Sequence, residues 1–427
     1  MIFQNLKPLE WLTDSGLTEN GQHAREAYTG FCKYLDSLNL LSYQTARAKY
    51  FLQVFHYWTM ENGYALPPHT INVNVNNVCN LGCRYCDFGQ HQSETFYHKY
   101  NVIDSSKRIE MPLETAKAIV DQSKWFRPII RVSFREALLY SHLLAFIEYA
   151  KHYGLPFWLL TNGTRLPAFA KDFVKFGVDS IRLSLDGDEE THDKIRGVAG
   201  SYRKMMDGVK MLIEERKKQQ PPSSMQVGFY FTLNDWNYDK VYASLEALEK
   251  EIDLREVFIN FQWLLYTTSE VAAEHNANDA AICGGYIDQS TVQNVDIYKI
   301  DLKYLNTQME EIKQKYPASQ GYRIHFRPSF DYEDLVRYRD TDTFPVEKPR
   351  CKVPWYNMNI NPAGEVKTFH HCLLPPVGNI IKEPFMDVWN GEAIRDQRMK
   401  LQEHGAYRGC VRCWGVYSLL EDKKRED

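Results

Sequence analysis

Apolar residues recur at two different periods along this chain, and the switches between the periods predict its elements. Over Ala24–Leu41 and Tyr43–Trp58 they fall at helical spacing, and Pro67–Pro68 ends that run. Residues 1–68 are therefore expected to form an N-terminal helical segment. From Thr70 the apolar positions alternate. Strands are predicted at about Thr70–Asn77, Pro128–Phe134, Pro156–Asn162, Ser180–Asp186, Gln226–Leu233 and Glu256–Leu265. Amphipathic helices separate them. One starts at Pro112 and buries Leu113, Ala116, Ile119 and Val120. A second, capped by Ser141, buries Leu144, Ile147 and Tyr149 or Ala150. Others cover about Pro167–Phe176, Tyr202–Lys218 and Tyr238–Ile252.

Strict strand–helix alternation implies a parallel sheet with right-handed crossovers. Six units are too few for a closed eight-stranded barrel, so residues 69–342 are expected to form an α/β fold, an open partial (β/α)6 TIM barrel. Its chemistry belongs at the C-terminal ends of the strands. From about Thr343 the alternation stops, and Pro, Gly and Cys punctuate short strands. Residues 343–427 are expected to be a small cluster-binding domain.

Composition narrows the class. The 427 residues are 44% hydrophobic and 25% charged, with net charge −4. No apolar run reaches the length of a membrane span, and the N-terminus lacks a basic stretch followed by an apolar core. A cytoplasmic protein without membrane contact is expected. The only basic runs are short and solvated, such as Glu214–Lys218 and Lys423–Arg425, so no nucleic-acid surface is indicated. Seven of the nine cysteines fall into two groups, which in a cytosolic chain reads as metal or cluster ligation.

The first group is Cys79, Cys83 and Cys86, with C-x3-C-x2-C spacing directly after the first strand. Three thiolates on a [4Fe–4S] cluster leave one iron open, and an open metal site is what chemistry needs. The alternative is a zinc site with His91 as fourth ligand. Cys79, Cys83 and Cys86, with Tyr85 before the last cysteine, resemble the radical S-adenosylmethionine (radical SAM) superfamily. Further motifs match in order: Thr161-Asn162-Gly163 after the third strand, Ser184-Leu185-Asp186-Gly187 after the fourth, then His192-Asp193-Lys194-Ile195-Arg196-Gly197. The resemblance implies that the open iron chelates SAM, whose reductive cleavage gives a 5′-deoxyadenosyl radical that abstracts a substrate hydrogen. It also implies an external electron donor such as flavodoxin or ferredoxin. By position, Tyr85 would lie near the SAM adenine, Ser184 would bind the ribose or carboxylate, Arg196 would clamp the carboxylate, and Asn162 would belong to the same pocket. The family's Gly-Gly-Glu-Pro turn after the second strand is replaced by Phe134-Arg135-Glu136-Ala137. Glu136 is retained and is expected to contact SAM, but the glycines that allow close backbone approach are gone.

The second group is Cys351, Cys372, Cys410 and Cys413. With Ile360–Val366, Gly378–Ile380 and Val388–Asn390, these residues resemble the SPASM/Twitch extension of radical SAM enzymes. That extension places a cysteine where Phe369 stands here; Cys372 follows three residues later. Four thiolates imply one closed auxiliary [4Fe–4S] cluster, with electron transfer as its task. The alternative is a zinc ribbon, with His370 and His371 as possible ligands. Cys32 reads as a buried helix residue. Cys283 sits in the Ala272–Gly285 loop after the sixth strand and is a candidate catalytic hydrogen donor, while Gln90–Lys107, with Phe96, Tyr97, His98 and Tyr100, is a candidate lid.

Three functions are compatible with these features. The first is oxidation or rearrangement of a small polar molecule of sugar or aminocyclitol type. The second is maturation of a ribosomally made peptide, against which the helical N-terminus weighs because such enzymes often carry a leader-binding winged helix. The third is a degenerate SAM-binding protein without turnover, suggested by Phe134–Ala137.

Overall fold

A computed structural model describes residues 54, 56–86, 100, 103–104, 106–287, 295–369 and 371–417. Most of the expected N-terminal helical segment lies outside these residues, as do Cys32, His91, Phe96, Tyr97, His98 and His370.

All six expected strands are present: β1 (Thr70–Val73), β2 (Ile129–Val132), β3 (Phe157–Thr161), β4 (Ser180–Leu185), β5 (Gln226–Leu233) and β6 (Phe258–Trp263). They pair in sequence order and in parallel. Along each strand one parity is apolar. Ile71, Val73, Ile130, Val132, Leu159, Ile181, Leu183 and Phe229 have no exposed surface. Burying each such side chain stabilises the fold by roughly 1.5–3 kcal/mol. The opposite parity faces the barrel lumen and carries Asn72, Arg131, Trp158, Arg182, Tyr230 and Asn260.

Four further strands extend this sheet. β7 (Arg323–Arg327) pairs parallel with β6, and Phe326 stacks on Phe261 with ring centroids 4.8 Å apart. On the other side β8 (Asn357–Ile360) pairs parallel with β1, from Thr70↔Asn357 to Val73↔Ile360. β9 (Glu365–Lys367) and β10 (Gly378–Asn379) follow antiparallel. The order is β10-β9-β8-β1-β2-β3-β4-β5-β6-β7, so the sheet stays open, with β7 and β10 at its edges. The C-terminal region is thus continuous with the barrel sheet.

The helices follow the apolar pattern with two corrections. α1 (Leu113–Ser123) buries Ala116, Ile119 and Val120 as expected, with Leu113 partly covered. α2 (Leu143–His152) is not capped by Ser141; that hydroxyl bonds the Glu110 carboxylate, and the buried face is Leu143, Phe146, Ile147 and Ala150. α3 (Ala170–Lys175) leads to β4, and α4 (Glu189–Arg196) starts where the Asp188 side chain accepts the Thr191 N–H at 2.9 Å. α5 (Ser201–Lys218) and α6 (Val241–Glu249) match the expected ranges closely. The second correction concerns 272–285, which is helical, not a loop. α7 (Ser269–Asn278) is capped by Thr268, and α8 (Ala280–Cys283) follows. Alanine is the strongest helix former, so this Ala-rich stretch folds as its propensity dictates. α9 (Leu302–Lys315) and α10 (Tyr332–Asp340) flank β7, and α11 (Glu392–His404) packs under the C-terminal segment. No helix among the described residues is long and apolar enough to cross a membrane.

Candidate functional site

The loop after β1 carries Cys79, Cys83 and Cys86, and it is pinned to the end of α4. A helix leaves its last carbonyls without intrahelical donors. Here the Ile195 and Arg196 carbonyls accept the Arg84 and Gly82 N–H groups at 3.0 and 3.2 Å. Gly197 closes α4 with φ +74°, and a Cβ there would lie 3.0 Å from the Gly82 carbonyl oxygen. The same helix end delivers the Arg196 guanidinium. One of its nitrogens lies 3.4 Å from Cys83 Sγ, another donates to Tyr85 Oη at 3.0 Å, and Nε is 2.5 Å from the Asp186 carboxylate. Burial alone would lower the Arg196 pKa, but the Asp186 carboxylate raises it well above its ordinary value. Tyr85 in turn donates to Asp186 at 2.8 Å. Tyr85, Asp186, Arg196 and Cys83 therefore form one network in which a buried cation faces a thiol.

Asn162 joins it from β3. Its Nδ2 lies 3.9 Å from Cys79 Sγ and donates to Asn80 Oδ1 at 2.9 Å. Gly163 follows with φ +78°, and a Cβ there would meet Leu183 and Met205 at 2.7 Å, so this turn requires glycine. Ser184 stands on β4, on the face opposite the buried Leu183 and Leu185, and its hydroxyl makes no hydrogen bond among the described residues.

Glu136 stands in the turn after β2. It is fully buried, and its carboxylate accepts the Leu138 N–H, the Thr161 hydroxyl and the Asn162 N–H at 2.9, 2.6 and 2.8 Å. Burial raises its pKa against those three donors. With its lone pairs so used, Glu136 ties the β2 turn to the β3 turn, which makes it a positioning group for Asn162. Its own backbone is fixed by Glu136 N→Val78 O at 3.0 Å and by Asn76 Nδ2 donating to Glu136 O at 2.9 Å.

The glycine departure also resolves into geometry. Phe134 and Arg135 have φ +83° and +51°, the left-handed backbone that glycine normally supplies. The turn is thus kept without the glycines. It is held by the buried Phe134 ring and by Arg135 Nε donating to the Asn77 carbonyl at 2.9 Å.

Cys351, Cys372, Cys410 and Cys413 line one cavity of about 50 Å³, together with Tyr266, Val353, Leu373 and Val416. Burial and the neighbouring thiols push Cys351 and Cys410 well up, and burial pushes Cys413 up to about 12. Four thiols lining one largely apolar recess fit a soft metal group larger than a single ion. Among the described residues no three His, Cys, Asp or Glu side chains are arranged around a single metal ion. His371 is half-buried, and loss of solvent around its ring lowers its pKa to about 3.

Cys283 lies beside this second region. Burial raises its thiol, and Cys372 adds to the effect. Its sulfur accepts the Gly285 N–H at 3.4 Å and lies 3.8 Å from His275 Nε2. The reason is α7 and α8, which turn back to the C-terminal segment: Asp279 accepts the Arg408 N–H, and His275 Nδ1 the Gly409 N–H at 3.4 Å.

Sequence reasoning overlooked Asp186 as the counterion of Arg196, and it overlooked Arg131 and Arg182. Charged residues in mid-strand, between fully buried apolar neighbours, are the signal that could have found the two arginines.

Comparison with known proteins agrees with the site. Residues 73–248 match the radical SAM superfamily, and residues 351–414 match the SPASM iron–sulfur cluster-binding domain. Fe-coproporphyrin III synthase of Methanosarcina barkeri (strain Fusaro / DSM 804) is 29% identical over 180 residues, covering 42% of this chain and 40% of that protein. The chain thus spans less than half the length of that relative. Among solved structures, Streptococcus suis SuiB bound to precursor peptide SuiA shares the fold with TM-score 0.55 at 13% identity, over 85% of this chain and 77% of that one. Native anSMEcpe with bound AdoMet does so with TM-score 0.53 at 16% identity, over 84% and 92%. A radical SAM domain implies a [4Fe–4S] cluster and SAM, and a SPASM domain implies auxiliary iron–sulfur clusters. The chain thus carries a radical SAM domain over residues 73–248 and, toward its C-terminus, a SPASM iron–sulfur cluster-binding domain over residues 351–414.

Proposed function

We propose that this radical SAM enzyme oxidises or rearranges a small polar substrate of sugar or aminocyclitol type at the barrel mouth. The observation that carries the reading is the three-cysteine loop pinned to α4, with Arg196 set against Cys83. Cys79, Cys83 and Cys86 would hold the first cluster, and Cys351, Cys372, Cys410 and Cys413 a single auxiliary one. When bound, the first cluster with SAM supplies a 5′-deoxyadenosyl radical that removes a substrate hydrogen, and the auxiliary cluster supplies an acceptor for the electron released. Arg196 keeps its charge at the pocket and suits a carboxylate. Ser184 offers a hydroxyl to the same pocket, Tyr85 steers Arg196, and Asn162 is set by Glu136. The retained left-handed turn at Phe134–Arg135 supports turnover over the degenerate alternative, since the backbone course is kept. The barrel domain is taken as 69–342 and the auxiliary domain as 343–427, in the cytoplasm, with a flavodoxin or ferredoxin as donor.

Anaerobically reconstituted protein should contain about eight iron and eight sulfide per chain, as two [4Fe–4S] clusters require. With dithionite and SAM it should form 5′-deoxyadenosine. Absence of that product overturns the enzymatic reading, and about four irons per chain removes the auxiliary cluster. A ribosomally made peptide is the competing substrate class. The likeness to SuiB extends to the fold alone, so binding of a precursor peptide decides that alternative.

A further inference from the structure

Inside the barrel, below the mouth, lie cations that the proposed chemistry does not use. Arg131 on β2 and Arg182 on β4 both face the lumen. Arg131 lies with its guanidinium 5.2 Å from the Trp158 ring, and its Nε is sealed from solvent without a hydrogen-bond partner. Arg182 lies 4.0 Å over the other side of the site's aromatic wall, Trp158, and donates to Tyr230 Oη at 2.9 Å and to Ser180 Oγ at 3.4 Å. Neither Arg131 nor Arg182 forms an ion pair with a carboxylate among the described residues. Burial and Arg182 lower the Arg131 pKa to about 10, and burial and Arg327 work the same way on Arg182. Buried cations are ordinarily paired, because an unpaired one forfeits its hydration without return. Two half-buried guanidiniums on one tryptophan, with no carboxylate paired to either among the described residues, leave this wall of the lumen short of negative charge.

Position says what that charge would do. Arg182 is two residues before Ser184, and Arg131 two before Ser133, on the same strand faces. At about 3.3 Å per residue this places their Cα atoms roughly 7 Å deeper along their own strands than Ser184 and Ser133. Guanidinium forks match carboxylate and phosphate oxygens in pairs. An anionic group seated on Arg131 and Arg182 would leave the rest of its molecule pointing up the lumen toward the mouth.

We propose that Arg131 and Arg182 form a subsite for a multiply charged oxyanion, a phosphate or paired carboxylates, that anchors the substrate beneath the radical site. This inference rests on the reading of the mouth as a radical SAM site, but its test does not depend on turnover. Reconstituted full-length protein is titrated calorimetrically with inorganic phosphate and, separately, with glutarate. Binding in the millimolar range or tighter by at least one probe is expected, with a rise in melting temperature. Phosphate alone identifies a phosphorylated substrate, and glutarate alone a polycarboxylate. Arg131→Met and Arg182→Met should each weaken the binding at least about tenfold, a 1.4 kcal/mol effect. Arg131→Met should melt at or above the wild-type temperature, because it removes a cation that repels its neighbour. Should a variant fail to fold, arginine modification of the wild type by phenylglyoxal supplies the same answer: the probe should protect Arg131 and Arg182. No binding of either probe to the wild type, wild-type affinity in Arg131→Met, or equal modification with and without probe overturns the proposal. Formation of 5′-deoxyadenosine by the same wild-type sample, without substrate, reports separately on the radical reading.

Discussion

The two cysteine regions solve opposite problems. At the barrel mouth the thiols sit among paired charges: Arg196 reaches Cys83, Asp186 and Tyr85 at once, and Asn162 approaches Cys79. In the second region the four thiols line a recess with Tyr266, Val353, Leu373 and Val416. Its one arginine, Arg412, is turned away to the Tyr338 and Thr341 carbonyls at 2.9 and 3.0 Å. A metal group that must bind a charged ligand needs a polar approach, and one that only passes electrons is better sealed. The contrast teaches that the surroundings, more than the thiols, separate a reactive centre from an auxiliary one.

The largest expected effect tests whether the regions are independent. Cys83→Ser should abolish 5′-deoxyadenosine formation while keeping about half the iron, and Cys413→Ser should lose about half the iron yet still cleave SAM. Loss of cleavage in Cys413→Ser would break the comparison, with iron analysis and product chromatography as the readouts. Next in size is Arg196→Met. It strands the fully buried Asp186 carboxylate, and breaking a buried pair costs about 3–5 kcal/mol. Denaturant titration should register this, and a much smaller loss would mean that the mouth network is not built on this pair.

A smaller effect concerns the turn after α4. The Asp193 carboxylate accepts the Gly200 N–H, the Ser201 hydroxyl and the Tyr202 N–H at 2.5, 2.7 and 2.9 Å. Burial favours its neutral form, but these donors win and lower its pKa. The native state therefore holds the proton less tightly than the unfolded chain. The stabilisation is present above the ordinary value of 3.8 and is lost as pH falls toward the depressed native one. Asp193→Asn should cost about 1–2 kcal/mol near neutrality, with the gap from wild type closing in acid. A pH-independent gap in melting curves would refute this assignment. Smallest is the difference between Arg135→Gly and Arg135→Ala. Both remove the same bond to Asn77, so the glycine variant should be more stable by about 1 kcal/mol, the price of a left-handed alanine. Equal denaturation midpoints would mean that the turn relaxes once the side chain is gone.

Much of this architecture was legible in the sequence because local period and local burial coincide. β1 to β6 alternate cleanly, since their outward faces meet helices. β7 was missed although Ile324 and Phe326 also alternate; Arg323, His325 and Arg327 between them read as a solvated run when the lumen is not known to be polar. β8 was missed as a barrel neighbour because its partner, Thr70–Val73, lies far away in sequence and no local pattern encodes that register. The Ala-rich segment around Cys283 was read as a loop, when helix propensity favoured α7 and α8. Glu136 was recognised by position, but which atoms its carboxylate serves depends on the β3 turn, a tertiary fact.

The pairing of β8 with β1 bears on electron tunnelling. Cys79 hangs from the end of β1, and Cys351 leads into β8, the strand locked beside it through Thr70↔Asn357 and Val73↔Ile360. Tunnelling rates fall steeply with separation, so a hinge between the two cysteine sets would make the rate fluctuate with every motion. A shared backbone ladder removes that hinge. In the proposed electron transfer, the ladder would tie one cysteine of each set, six residues along the chain from its strand, to the same pair of strands.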